Sequence, residues 1–277
     1  MSKKINRKTH IPKRHDPLKA YKDPSFLGSP DARSLRILSE YFEPMARFKK
    51  HKVENTIVFF GSARLLSSID AQTQIKQLKA DKASKDKIKE AQKMVDMAHY
   101  YDDAVELARL STNWSKKKFG QTKKRYLVCT GGGPGIMEAG NRGAYIADGE
   151  SVGLSISLPF EANANPFITP KLSFEFHYFF TRKYWFSYLA KALVIFPGGF
   201  GTLDELAEIL TLIQTQKITK NIPIVMYGSE FWKKVINFKA LVSCGTISEK
   251  DLDLMTYCDT PKEAFDFIKK NVSQPGG

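Results

Sequence analysis

A chain of 277 residues with 42% hydrophobic content is long enough to bury a large core and too apolar to be wholly disordered. Three cysteines, Cys129, Cys244 and Cys258, are too few and too scattered for a disulfide framework or a zinc site, and the five histidines show no metal-ligand spacing. The formal charge of +14 suggests nucleic acid until its distribution is read: residues 1–52 hold 14 Lys and Arg against 5 Asp and Glu, residues 73–125 hold 14 against 7, and residues 126–277 hold 14 against 15.

The excess charge therefore belongs to an N-terminal extension, residues 1–52, and to a lysine-rich insertion near residues 67–93. Runs of this kind are usually solvated faces, and no nucleic-acid motif accompanies them, so nucleic acid is not an expected partner. The basic N-terminus has no apolar signal core, and the aromatic stretch Tyr178 to Phe196 is broken by Arg182, Lys183 and Lys191. Neither a secretory signal nor a membrane span is expected, and the cytoplasm is the expected compartment.

Along the chain, prolines among lysines predict an irregular segment over residues 1–30. Asp31 is a candidate cap for a short amphipathic helix through Leu35, Leu38, Tyr41 and Phe42. The run Thr56 to Phe60 reads as a buried strand ending at the turn Gly61-Ser62-Ala63-Arg64. Ser67 to Lys93 has weak periodicity and reads as an inserted helix. The next helix, about Met94 to Thr112, carries Val95, Ala98, Tyr101, Ala104, Val105 and Ala108 at a spacing that turns them toward a sheet. Tyr126 to Thr130 is a second apolar strand, running into Gly131-Gly132-Gly133-Pro134-Gly135 and a helix from Ile136 to Asp148.

Beyond it the alternation continues. Ser151 to Ser157 reads as a strand, followed by a loop through Pro159, Asn163, Asn165 and Pro166, an extended Leu172 to Phe176 and an aromatic helix. Later strands are expected at Ala192 to Phe196, Ile222 to Tyr227 and Leu254 to Cys258, with helices near Thr202 to Thr215, Glu230 to Leu241 and Pro261 to Asn271. Strands and helices in this order predict an α/β fold, a Rossmann-like doubly wound and mostly parallel sheet with helices on both faces. Residues 53–277 form the expected nucleotide-binding catalytic domain. Ligands of such folds lie at the carboxyl ends of the strands, where the three glycine turns after Phe60, Thr130 and Phe196 can converge.

The turn Pro197-Gly198-Gly199-Phe200-Gly201-Thr202-Leu203-Asp204-Glu205 joins a strand to a helix start, which presents N–H donors and a partial positive charge to an anion. Neither large glycine turn fits the dinucleotide fingerprint: Ile136 and Asp204 stand where its third glycine belongs. No Walker lysine follows either turn. Hydride transfer and P-loop hydrolysis are thereby disfavoured, and no cofactor or metal is expected. In His177 to Phe186, Phe179, Arg182 and Phe186 share one helical face. Arg182 in that company needs an anion, either a core carboxylate such as Glu175 or a ligand phosphate.

These residues resemble the LOG family, Rossmann-like nucleotide phosphoribohydrolases that include cytokinin riboside 5′-monophosphate phosphoribohydrolases. The resemblance rests on Gly131 to Ala139, on the pair Arg182-Lys183 and on PGGxGTxxE at Pro197 to Glu205, and it spans roughly residues 53–260. It implies cleavage of a nucleoside 5′-monophosphate into free base and ribose 5-phosphate, with Glu205 and Arg182 catalytic, and it implies a homodimer. Substrate contacts are expected from Gly198, Gly199, Gly201 and Thr202 on the phosphate side. Ser62, Gly132 and Gly133 are expected at the base and ribose. Glu138 is expected either at a ribose hydroxyl or as a helix N-terminal charge, and Lys183 beside Arg182. The older family label, lysine decarboxylase, wants a lysine marked for pyridoxal phosphate, which Lys183 is not. A noncatalytic carrier of a nucleotide or of the molybdenum cofactor, on the same scaffold, is the competing reading.

Overall fold

The computed structural model describes residues 16–158 and 164–272. Seven strands form one sheet: β1 (Asn55–Phe60), β2 (Tyr126–Thr130), β3 (Ser151–Ile156), β4 (Ser173–Phe176), β5 (Ala190–Ile195), β6 (Ile224–Tyr227) and β7 (Met255–Cys258). Their order across the sheet is β4-β3-β2-β1-β5-β6-β7, and every neighbouring pair is parallel. The fold is α/β and Rossmann-like. The order reverses between β1 and β5, so this boundary is the switch point where a crevice opens above the strand ends.

The strands are apolar on both sides because both sides are covered. Val58, Phe60, Leu193 and Ile195 enter one core, whereas Ile57, Phe59, Ala192 and Val194 enter the other. That alternation of two apolar faces is why these runs read as continuous hydrophobic stretches in the sequence. The helices are α1 (Pro24–Gly28), α2 (Arg33–Lys50), α3 (Ser68–Ala80), α4 (Lys85–Met97), α5 (His99–Phe119), α6 (Ile136–Ile146), α7 (Phe179–Leu189), α8 (Phe200–Gln214), α9 (Ser229–Val235), α10 (Phe238–Ser243) and α11 (Pro261–Val272). Helices α5, α6 and α11 supply Leu107, Ile136 and Ile268 to one core, and α2, α7 and α8 supply Phe48, Trp185 and Leu206 to the other. Among the described residues no helix is long and apolar enough to cross a membrane.

Several elements differ from the sequence reading for local reasons. Residues 16–30 are partly helical, since Asp23 accepts the Ser25 and Phe26 N–H groups and starts α1; residues 1–15 of the expected irregular segment lie outside the described residues. Asp31 caps nothing. It sits inside a 3₁₀ turn, Pro30–Ala32, and α2 follows from Ala32 with no side-chain cap. The inserted segment is two helices rather than one, because Lys82 takes a left-handed backbone at φ 52° and Ser84 caps α4. The helix expected over residues 230–241 is likewise broken, at Ile236, and restarts at an Asn237 cap. Pro159 and Asn163 of the expected loop lie outside the described residues.

Candidate functional site

The three glycine turns meet through their backbones. The Ser62 N–H donates to the Pro197 carbonyl at 3.0 Å, and the Ile136 N–H donates to the Ser62 carbonyl at 3.0 Å. Contact this close requires glycine at position 135, where φ is +67° and a Cβ would stand 2.3 Å from the Ser62 carbonyl oxygen. The Ser62 hydroxyl accepts the Arg64 N–H at 3.1 Å and so braces its own turn.

Below these turns lies a cavity of about 670 Å3 at the β1/β5 switch point, lined in part by Ser62, Arg64, Arg182, Thr202 and Glu205. Gly199 and Gly201 also line it, and a Cβ at either would meet nothing within 4 Å, so the backbone there faces open space. No side chain caps α8 at Gly199, which leaves the first-turn N–H groups for a ligand or water. Gly198 lies behind the wall: a Cβ there would stand 2.1 Å from Thr202 Oγ1, so its absence lets the Thr202 side chain pack against the turn.

Glu205 projects from the second turn of α8 and is 6% exposed. Arg182, from α7, stands over Phe179 and Phe186 at 5.0 and 5.7 Å from their ring centroids. Its Nη2 lies 3.5 Å from Glu205 Oε1. The anion that Arg182 needs within the protein is therefore Glu205, whereas Glu175 accepts the Ser157 hydroxyl at 2.7 Å. Burial drives the Glu205 carboxyl up to about 7, and the attractions of Arg182 and Lys183 offset only part of that rise. A carboxyl that exchanges its proton near neutrality beside a fixed guanidinium is suited to acid or base work.

Like Gly198, the expected site residues Lys183 and Glu138 stand outside the cavity lining. Lys183 does not line the cavity; its Nζ bridges Asp204 and Glu208 at 2.7 and 2.8 Å. Burial works against its charge, but the bonds to those carboxylates outweigh it and hold the ammonium form above its usual range. Glu138 accepts the Tyr101 hydroxyl at 2.7 Å, directed to α5 rather than to the cavity, and it raises the Tyr101 phenol to about 12 together with burial, the larger cause. Gly132 and Gly133 line a second cavity of about 460 Å3, which adjoins the first through Gly131, Ile156 and Leu158.

Supporting residues escaped the sequence reading. Asn165 donates through Nδ2 to the carbonyls of Gly132 and Gly133, both at 3.1 Å, and to Asn141 Oδ1 at 2.9 Å. Asn141 in turn accepts the Thr130 hydroxyl at 2.6 Å, and Thr130 Oγ1 accepts the Gly132 N–H at 3.0 Å. This buried network holds the glycine turn in one shape. On the other side, Glu40 of α2 accepts the His177 and Tyr178 N–H groups at 2.7 and 3.3 Å and the Thr181 hydroxyl at 2.5 Å. Its carbonyl accepts the Trp185 indole N–H at 3.0 Å. A residue far away in sequence thus holds the backbone that leads into α7, the helix that carries Arg182.

Residues 137–268 match the protein-family model described as "Possible lysine decarboxylase". The matched segment, a little under half of the chain, is what supports a likeness to the LOG family. The match takes in Arg182, Lys183 and the whole of Pro197 to Glu205. No curated protein matches this chain. Among solved structures it is similar to a molybdenum cofactor binding protein from the phototrophic bacterium Rippkaea orientalis, at 15% identity and a TM-score of 0.48, over 79% of this chain and 96% of that one. It is also similar to a Moco carrier protein from Chlamydomonas reinhardtii, at 16% identity and a TM-score of 0.47, over 79% of this chain and 98% of that one.

Proposed function

We propose that this protein hydrolyses the N-glycosidic bond of a nucleoside 5′-monophosphate to free base and ribose 5-phosphate. The observation that carries the reading is Glu205, buried 3.5 Å from Arg182 in a cavity that also receives the uncapped start of α8. The 5′-phosphate is placed against the N–H groups of Gly201 and Thr202 and the Thr202 hydroxyl, where the helix end favours an anion. The ribose then lies toward Glu205, with Ser62, Gly132 and Gly133 shaping the base side.

As the bond from C1′ to the base nitrogen lengthens, positive charge grows on the ribose ring, and the Glu205 carboxylate is the group that stabilises it. The same carboxylate orients a water. The water oxygen bonds to C1′, its proton passes to Glu205, and the electron pair of the broken bond leaves with the base, which takes a proton from solvent. Arg182, held between two rings, grips the phosphate or steadies the departing base. The aromatic face of α7 around Phe180, which is 56% exposed, is the surface proposed for a homodimer.

A carrier of a nucleotide or of the molybdenum cofactor would use the glycine turns but has no need of a carboxyl titrating near neutrality beside an arginine. The test is to incubate the protein with AMP, GMP, CMP, UMP and a cytokinin riboside monophosphate and to assay free base and ribose 5-phosphate. Release from at least one, abolished in Glu205→Ala, is expected. Binding of a monophosphate with no base release from any of them would favour the carrier.

A further inference from the structure

At the opposite end of the sheet, below the amino ends of β1, β2 and β5, a second concavity of about 620 Å3 is ringed by Lys49, Lys52, Lys123, Lys191 and Lys220. Against these five cations stands one carboxylate in the lining, Glu54, which is taken up by Lys123 at 3.2 Å. The floor is apolar, made by Phe48, Trp185 and Leu189, which are 3%, 2% and 6% exposed, and Tyr188 forms part of the rim.

Lys220 is the informative member. Its Nζ donates to the carbonyls of Ser187 and Tyr188 at 2.7 and 2.8 Å, at the carboxyl end of α7, so its position is fixed by the fold rather than by a counter-ion. Burial first and the neighbouring Lys191 second bring its pKa down to about 8. Two ammonium groups near enough to repel, one of them locked in place, with the one carboxylate of the lining taken up by Lys123, make a site that an anion would relieve. A surface of solvated lysines would instead be convex and dispersed. Here the cations surround a hollow whose volume suits a small organic molecule.

We propose that this concavity is a second ligand site, distinct from the Glu205 cavity, and that it takes a small polyphosphorylated molecule carrying a planar or apolar group. The phosphates meet the lysines, and the planar group lies against the exposed ring of Tyr188 at the rim. Because Trp185 follows Arg182 by one helical turn on α7, the two sites share a wall-forming helix.

The test is calorimetric titration of the whole protein with ATP and with inorganic tripolyphosphate. Three proteins are compared: wild type, Arg182→Ala in the Glu205 cavity, and the double substitution Lys49→Gln, Lys191→Gln, which leaves the Lys220 cap in place. The expected result is ATP binding that survives Arg182→Ala, weakens at least about tenfold in the double lysine variant, and exceeds that of tripolyphosphate. Amine acetylation read by mass spectrometry supplies an independent measurement: Lys220 is expected to be modified and to be protected by ATP. The proposal is overturned if neither probe binds, if Arg182→Ala alone abolishes binding, or if Lys220 reacts equally with and without ATP. It is also overturned if a single-stranded RNA oligomer displaces ATP and binds more tightly with a steep salt dependence, since the face would then serve nucleic acid. None of these outcomes depends on base release, so the site stands or falls apart from the hydrolase reading.

Discussion

Glu205→Gln removes a single titration from the centre of the candidate site and keeps the size of the side chain. In the wild type, burial lifts this carboxyl from 4.5 to about 7, a displacement equivalent to about 3 kcal/mol in favour of the protonated form. Its sign follows from linkage. Below about pH 4.5 the group is protonated in both folded and unfolded chains and adds no penalty. Between about pH 4.5 and 7 the unfolded chain releases the proton while the folded chain retains it, so stability falls as pH rises, and the loss is complete above about pH 7. The wild type is therefore expected to lose about 2.5 kcal/mol between about pH 5 and 8.5 that Glu205→Gln does not lose. Urea unfolding of both proteins at both pH values, followed by tryptophan fluorescence, measures the difference, and every other titration common to the two cancels. An equal gap between the two proteins at both pH values, within about 0.5 kcal/mol, would refute burial as the cause of the shift.

The same proton sets the pH profile of the proposed reaction: base release should rise as pH passes through about 7, and a profile flat across that range would remove Glu205 from the catalytic step. Gly198→Ala places a methyl where Thr202 Oγ1 now lies 2.1 Å away, so it should raise KM for a monophosphate at least about tenfold, as steady-state kinetics would register. Asn165→Ala strips a donor from two turn carbonyls and from Asn141; about 1–3 kcal/mol of stability should be lost in urea unfolding. Glu40→Ala should cost about 1–2 kcal/mol in urea unfolding and lower kcat more than Glu40→Gln, because glutamine keeps one acceptor for the His177 and Tyr178 N–H groups just ahead of α7.

The sheet was legible because each central strand is apolar on both faces and each ends at a glycine turn. Val58 and Phe59 enter opposite cores, so polar residues of β1 and β5 such as Thr56 and Lys191 are confined to the strand starts. The meeting of Ser62, Arg182, Thr202 and Glu205 was legible because strand ends in a parallel sheet share one side. What remained hidden depends on contacts between distant segments. Glu40 looks like any exposed helix glutamate until α7 is laid against α2. Asn165 sits in a loop with no periodicity, and its three acceptors are defined only once the glycine turn is folded. Lys183 and Glu138 point away from the cavity because a motif states which residues adjoin in sequence, whereas helical rotation decides which of them faces the ligand; of the two readings of Glu138, its place in the first turn of α6 fits the helix N-terminal charge. The Asp31 cap failed for a smaller reason: Pro30 begins a 3₁₀ turn ahead of the helix and removes Asp31 from the capping position.

The place of β1 between β2 and β5 also bears on how the protein is made. Ile57 pairs beside Val128 on one edge and beside Ala192 on the other, so one edge of the first strand stays open until a much later part of the chain has left the ribosome. During that interval the nascent half-sheet presents an apolar strand with unsatisfied backbone groups, the kind of edge that recruits chaperones or neighbouring chains. The crevice at the switch point thus forms only when β5 arrives, the same strand that delivers the turn leading to Glu205.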